Sequence, residues 1–457
     1  MDKSIDAMGK KPILTLLLSM SFPPMLSMLV QSMYNIIDSI FVARLGEEAL
    51  TAVSLAFPLQ NLVLSAAVGL GVGLNSVIAR NLGAGNMEKA EKAAVQGLAL
   101  TAVHSVIFIL IGLFLTKPFF HIFTQNEAVY KMGCQYTYLV ICLSAGSLFH
   151  ITVEKMFQAT GSMVIPMLMQ GFGAIINIIL DPVMIFGYFG FPALGVTGAA
   201  YATLIGQFSA CILSVILFVR KGGIQIHLKG FRPDGSLIKS IYAVAVPSAV
   251  MSALPSLLVG ILNGFLASVS QTAVAVLGIY FKLQTFVYMP ANGVVQGMRP
   301  IIGYNYGAGN KKRLSAVIKT ACLVTGAIMA VGTLLFMGLP GQIMQMFDAG
   351  HAMRTMGILA LRIISIGFLV STLGITLSGT FEALGLGFHS LAVSLLRQLV
   401  ITVPLAAVFL HVFGVTGVWA AFPIAEVIAA IAAVLIFLHI WKNQIVTLQT
   451  GNVEEDS

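Results

Sequence analysis

The chain repeatedly runs for nine or ten residues without one polar side chain, as in Ile107–Leu115 and Ala429–Leu438. These runs lie within longer stretches nearly free of charge. A bilayer core is crossed by about 20 apolar residues in a helix, and only helices and closed barrels satisfy every backbone polar group there. The alternation of a barrel strand, apolar out and polar in over ten-residue blocks, is absent, so the runs are helices. Composition agrees: 58% of the 457 residues are hydrophobic and 9% are charged, against roughly 25% charged in soluble domains. A soluble enzyme, a secreted domain and a disordered protein are all excluded.

Polar breaks divide the apolar sequence into twelve expected spans, near residues 13–42, 49–79, 93–116, 132–159, 163–188, 194–219, 238–267, 273–303, 315–338, 355–383, 388–411 and 415–440. The amino-terminal run lacks a signal-peptide cleavage site and continues past Pro23-Pro24, so it reads as the first span. The net charge of +8 does not indicate nucleic acid, because the basic residues sit in short loops where they set orientation. One side gathers sixteen of them, among them Lys10, Lys11, Arg80, Lys89, Arg220, Lys311 and Lys442. The other holds Arg44, Lys117, Lys131 and Arg354. Both termini are therefore expected in the cytoplasm. Residues 1–220 form a first six-helix lobe, 221–236 a cytoplasmic linker, 237–442 a second six-helix lobe and 443–457 a cytoplasmic tail.

The lobes are copies of one another. Gly83-Ala84-Gly85-Asn86 recurs as Gly307-Ala308-Gly309-Asn310, an offset of 224 that also matches Phe57 to Phe281, Gln60 to Gln284, Asn81 to Asn305 and Phe157 to Phe381. Gly195-Val196-Thr197-Gly198 returns at Gly414-Val415-Thr416-Gly417 after a small deletion. An offset of six helices preserves direction, so the repeats are parallel about an axis along the membrane normal, a construction characteristic of secondary transporters.

Enzyme signatures are absent: there is no metalloprotease helix, Walker loop or nucleophile elbow. Gly69-Leu70-Gly71-Val72-Gly73 lies inside a span, where Gly69 and Gly73, four apart, read as a close helix-packing face. The chain is expected to be no enzyme, and to draw on an ion gradient rather than on bound nucleotide. Ionisable residues inside spans each cost several kcal/mol in hydrocarbon, roughly 2.5–3.5 on the insertion scale, so they are the candidates for function. The acids are Asp38, Glu154, Asp181, Glu382 and Glu426; the bases are Lys155, Lys282, Arg362 and Arg397.

Asp38 lies about 9 Å of helix rise before Arg44, and Asp181 about 10 Å before Tyr188, which puts both at one level in the outer half of the membrane. Asn177, four residues before Asp181, shares its helix face. Two carboxylates close together in low dielectric take up a proton, a metal cation or a cationic ligand; alternatively each is capped separately by hydroxyls or backbone. Pro23-Pro24 on the helix of Asp38 removes backbone hydrogen bonds and reads as a hinge or a fixed kink. Glu154 with Lys155 reads as an inner ion pair, Glu382 as local structure. Arg397, Lys282 and Glu426 read as mutually paired or as cavity lining, with Tyr34, Asn35, Arg397 and Glu426 the candidate substrate-cavity residues. Scattered histidines without ligand spacing argue against a metal site.

These residues resemble the MATE (multidrug and toxic compound extrusion) family. The likeness rests on Asp38 late in span 1, on Arg80–Asn86 after span 2 with its echo Gly303–Asn310, on Phe157–Gly161 closing span 4, and on Asn177-x-x-x-Asp181-Pro182 in span 5. It covers essentially the whole chain. It implies two six-helix lobes in a V, alternating between outward-open and inward-open states. It implies an antiporter of the bacterial inner membrane that exports cationic or amphipathic drugs, with antibiotic resistance as the consequence, in exchange for H⁺ or Na⁺. Asp38, Asn177 and Asp181 then match the family's cation-coupling residues, where Na⁺ could sit, and Pro23 or Pro24 its hinge. Some members add a hydroxyl from span 6, but the equivalent stretch here reads as Gly198-Ala199-Ala200, with hydroxyls only a turn or less away at Thr197 and Thr203, and the contact is not carried over. A second-lobe site in another branch uses a span-7 glutamate, and span 7 here has no acid. No cofactor beyond the coupling ion and no nucleic acid is expected, and the protein is expected to be monomeric.

A lipid-linked oligosaccharide flippase of the same superfamily is the alternative; it calls for several cavity-facing arginines, for which only Arg362 and Arg397 are deep enough. A prenyl-transfer enzyme would need clustered aspartates for Mg²⁺-diphosphate, which are missing. A purely structural or sensory membrane protein would not need duplicated lobes around buried acids.

Overall fold

A computed structural model describes residues 3–221, 223–227, 231–347 and 350–446. Of the expected linker, residues 222 and 228–230 lie outside the described residues, as does the tail from 447 onward. Among the described residues the regular structure is helical throughout. The short α1 (Lys3–Lys10) precedes α2 (Ile13–Ala43), α3 (Glu47–Gly83), α4 (Met87–Phe123), α5 (Glu127–Cys142), α6 (Ala145–Ala159), α7 (Val164–Phe186) and α8 (Val196–Lys221). There follow α9 (Gly235–Ala267), α10 (Gln271–Gly307), α11 (Lys311–Gly338), the short α12 (Pro340–Gln345), α13 (His351–Leu384), α14 (Gly387–Leu395), α15 (Thr402–Phe413) and α16 (Val415–Ile440). Eleven helices are long and apolar enough to cross a membrane, α14 and α15 together forming one of them, and the bent pair α5/α6 brings the number to twelve.

That pair departs from the expected continuous span over 132–159. The axis turns by 42° at Leu143 and Ser144. The Ser147 hydroxyl donates to the Ser144 carbonyl at 2.8 Å, and serine pairs of this kind compete with the helical ladder and bend it. Several spans also overrun their apolar windows. The third was expected over 93–116 and runs as α4 from Met87 to Phe123, its polar first turn being capped by Asn86.

The duplicated Gly-Ala-Gly-Asn has a local physical reason. Gly85 and Gly309 adopt φ of +72° and +68°, the left-handed conformation that glycine takes at no steric cost and that ends a helix. One residue on, Asn86 and Asn310 cap the next helix, their side chains accepting from the backbone N–H of Lys89 at 3.1 Å and Arg313 at 3.0 Å. Each copy therefore stops one span and starts another within four residues.

Two compact units emerge: Met1–Ala7 with Leu26–Ala249, and Met8–Met25 with Val250–Ser457. The boundaries fall inside helices. In α2 the change comes directly after Pro23 and Pro24; in α9 it comes just after Pro247, which stands 224 residues beyond Pro23. Within the first unit, α3 packs tightly on the opening turns of α9. A Cβ placed on Gly69 would stand 2.5 Å from the Ala245 carbonyl oxygen, and one on Gly73 2.4 Å from that of Ile241. The two glycines thus form the packing face expected of them. The outward side of α4 carries exposed apolar residues such as Phe114, 72% exposed, which suit lipid.

Candidate functional site

Within the first unit, five helices bring polar side chains to one place. Asn177 and Asp181 stand one turn apart on α7 and are both buried, Asp181 completely. The Asn177 amide donates to Asp181 Oδ1 at 3.3 Å and to Thr203 Oγ1 on α8 at 3.4 Å. Asp38 on α2 acts electrostatically on Asp181, and Tyr34, one turn earlier on α2, lies in range of both carboxylates. Tyr136 on α5 is buried within range of the same two acids, and Gln60 on α3 donates to its hydroxyl at 3.1 Å.

The bonding of this cluster is incomplete. Asp38 Oδ1, Asp181 Oδ2 and Asn177 Oδ1 are all buried with no hydrogen-bond partner. Buried polar atoms in folded proteins are paired almost without exception, and the exceptions ask for an explanation. Three unpartnered acceptors, two of them on carboxylates, form a site that lacks positive charge. A proton on either acid would supply it, as would a small cation held by oxygen donors. The oxygens of Asp38, Asp181, Asn177 and Thr203 fit a hard cation such as Na⁺.

The expected residues Asp38, Asn177, Asp181 and Tyr34 are thus assembled together. Asn35 is not part of the cluster: it lies exposed on α2, its carbonyl accepting from Ser39 at 2.8 Å. Thr203, one of the two hydroxyls close to the expected sixth-span stretch, meets Asn177 from α8. The stretch Gly198-Ala199-Ala200 has none, but the next turn of α8 delivers Thr203 to Asn177. Tyr136 and Gln60 also went unnoticed, although Gln60 was visible as a repeated polar residue inside a span.

The remaining charges are placed as follows. Lys155 pairs with Glu154 at 2.8 Å and reaches Gln158 at 3.1 Å. Glu382 pairs with Arg299, a half-buried base that the sequence reading did not name among the charges inside spans. Arg397 and Glu426 lie in the second unit 3.8 Å apart. Lys282 is exposed and outside that pair, and Arg362 is exposed on α13. Pro23 and Pro24 are buried in α2.

A duplicated bundle of membrane-spanning helices that encloses incompletely bonded carboxylates is the construction of a secondary membrane transporter. The MatE family pattern matches residues 23–183 and again 247–408, and the chain belongs to that family. The multidrug export protein MepA of Staphylococcus aureus (strain MRSA252) is 26% identical over 456 residues, 99% of each chain. A solved structure described as the outward-facing conformation of a multidrug resistance MATE family transporter of the MOP superfamily superposes with a TM-score of 0.89 at 27% identity, covering 98% of this chain and 99% of that one. Another, described as MATE in the bent conformation, gives 0.90 at 27% identity, covering 97% and 99%.

Proposed function

We propose that this protein is a secondary antiporter that exports cationic and amphipathic compounds in exchange for H⁺ or Na⁺, as a monomer in the bacterial cytoplasmic membrane with both termini inside. The observation that carries the reading is the trio of buried, unpartnered oxygens on Asp38, Asn177 and Asp181. An ion bound there neutralises a charge that α2 and α7 otherwise hold in hydrocarbon. The conformation that binds the ion better is favoured by that difference in affinity, and a drug that prefers the other conformation is exchanged for it. Drug and ion need not touch the same atoms, and no cofactor beyond the coupling ion is called for.

Pro23 and Pro24 are the hinge in this reading. They sit where α2 passes from one compact unit to the other, and a related MATE structure is described in a bent conformation. The MepA relatives are described as multidrug export proteins, which supports drugs as the cargo. The flippase reading is weaker, because Arg362 is exposed and Arg397 and Arg299 each stand beside a glutamate.

The test is efflux of ethidium from proteoliposomes under an imposed pH or Na⁺ gradient, with wild type beside Asp38→Asn and Asp181→Asn. Gradient-driven efflux that is lost in both folded variants supports the coupling site, and the effective gradient names the ion. Efflux that survives both substitutions refutes it.

A further inference from the structure

The second unit holds an ion pair that serves poorly as a structural one. Arg397 lies about 15 Å along its span from Gly387, and Glu426 about 16 Å along α16 from Val415, so both sit near mid-membrane. Their nearest approach is 3.8 Å, beyond hydrogen-bonding distance. Glu426 Oε2 is buried without a partner, and among the described residues the Arg397 guanidinium makes no hydrogen bond; only its carbonyl is engaged, by Thr402 at 2.5 Å. Charges placed this deep are expensive and need close mutual satisfaction, which this pair does not provide.

The backbone around the pair is equally particular. Arg397 lies in a π-helical turn, Leu396–Val400, a distortion found mostly at functional sites, where it re-aims a side chain. Glu426 follows Pro423 on α16. Aromatic rings stand alongside: Phe422, one turn before Glu426, packs on Tyr280 at 5.6 Å and on Phe281 at 6.2 Å. Tyr280 and Tyr288 lie within electrostatic range of both charges. Arg397 and Glu426 keep 20% and 15% side-chain exposure, so a ligand can reach them.

The geometry points to a subsite for aromatic zwitterions, in which Arg397 takes the ligand's carboxylate, Glu426 takes its protonated amine, and the half-buried ring of Phe281, backed by the buried rings of Tyr280 and Phe422, takes the aromatic body. The reason lies in the pair itself. A ligand with a single charge satisfies one partner and strands the other in a low-dielectric span, which is strongly unfavourable. A zwitterion satisfies both and fills the vacant capacity of Glu426 Oε2. The inference rests on the drug-export reading above and adds a charge pattern for one class of cargo.

The purified full-length protein in detergent is titrated with norfloxacin, its ethyl ester and its N-acetyl derivative, followed by quinolone fluorescence. These present a zwitterion, a cation and an anion on one ring system. Wild type is expected to bind norfloxacin at least about tenfold more tightly than either derivative, the worth of one charge-assisted contact. Arg397→Gln abolishes the preference over the ester, and Glu426→Gln abolishes the preference over the N-acetyl compound. Asp38→Asn and Asp181→Asn, in the other unit, leave both preferences in place. The double variant Arg397→Gln/Glu426→Gln buries no charge, guards against misfolding, and binds all three ligands alike. Equal affinities in wild type, or preferences that survive the single variants, overturn the subsite while leaving drug export standing. Failure of wild type to bind any of the three overturns the subsite and counts against the drug-export reading as well.

Discussion

Asp181→Asn is expected to raise stability while abolishing coupled transport, and these opposite signs separate a working carboxylate from a structural one. Asp181 is fully buried. Its Oδ1 accepts a single long bond of 3.3 Å from Asn177, and its Oδ2 has no partner. A second acid, Asp38, acts on it electrostatically. The amide has nearly the same volume, so packing is retained. It still accepts from Asn177, and its new N–H group has the unpartnered Asn177 Oδ1 as a nearby acceptor. Relieving one unsatisfied buried acceptor is worth about 1–3 kcal/mol, and removing the repulsion between acids adds to this. The thermal midpoint in detergent, followed by intrinsic fluorescence, should rise by roughly 1–4 °C. In proteoliposomes the same variant should show no gradient-driven ethidium efflux, because a neutral amide can neither release a proton nor balance a cation. A fall of several degrees would mean that the carboxylate is a structural contact. Undiminished efflux would remove Asp181 from the coupling site.

Substitutions at four further positions test other parts of the structure. Gly73→Leu puts side-chain atoms where a Cβ already meets the Ile241 carbonyl oxygen at 2.4 Å, and should cost about 1–3 kcal/mol or more, read as lost folded yield in size-exclusion chromatography. Gly171→Ala, which has open space around it, should match or exceed wild type by about 0.5–1 kcal/mol. Arg299→Ala removes the guanidinium that faces Glu382, which is 3% exposed, and should cost about 3–5 kcal/mol in thermal stability. The double change Arg299→Asn/Glu382→Gln installs the residues found 224 positions earlier, Asn75 and Gln158, and should recover most of that loss in the same melting assay. Thr203→Val deletes one weak bond of 3.4 Å to Asn177; the ion concentration giving half-maximal efflux should rise a few-fold, for a contact worth about 0.5–1.5 kcal/mol, with folding unchanged.

The clustered polar residues were legible because their signal is local. Asp38, Asn177 and Asp181 are polar side chains in spans that are otherwise apolar, and helical rise alone puts the two acids at one depth. Between the nearby hydroxyls Thr197 and Thr203 the sequence does not choose, because which turn of α8 faces Asn177 depends on how α8 packs against α7; the packing selects Thr203. Tyr136 and Gln60 escaped for a similar reason. Neither is unusual alone, and only the approach of α3 to α5 joins them at 3.1 Å. Asn35, between Tyr34 and Asp38 in sequence, is exposed rather than part of the cluster, a separation that its position on the helix sets.

Hydropathy, charge bias and the 224-residue repeat depend on side chains near one another in sequence, and they determined that the chain is a membrane protein, that its bundle is built twice, and which acids sit in hydrocarbon. The tertiary structure decided which of those charges meet: Arg299 with Glu382, Arg397 loosely with Glu426. It also decided that the compact units exchange within α2 and α9, beside Pro24 and Pro247. Such pairings join positions dozens of residues apart. They follow from close approaches such as that of Gly73 to Ile241, where the fit of one helix surface on another selects the neighbour, and no local pattern in either helix contains that fit.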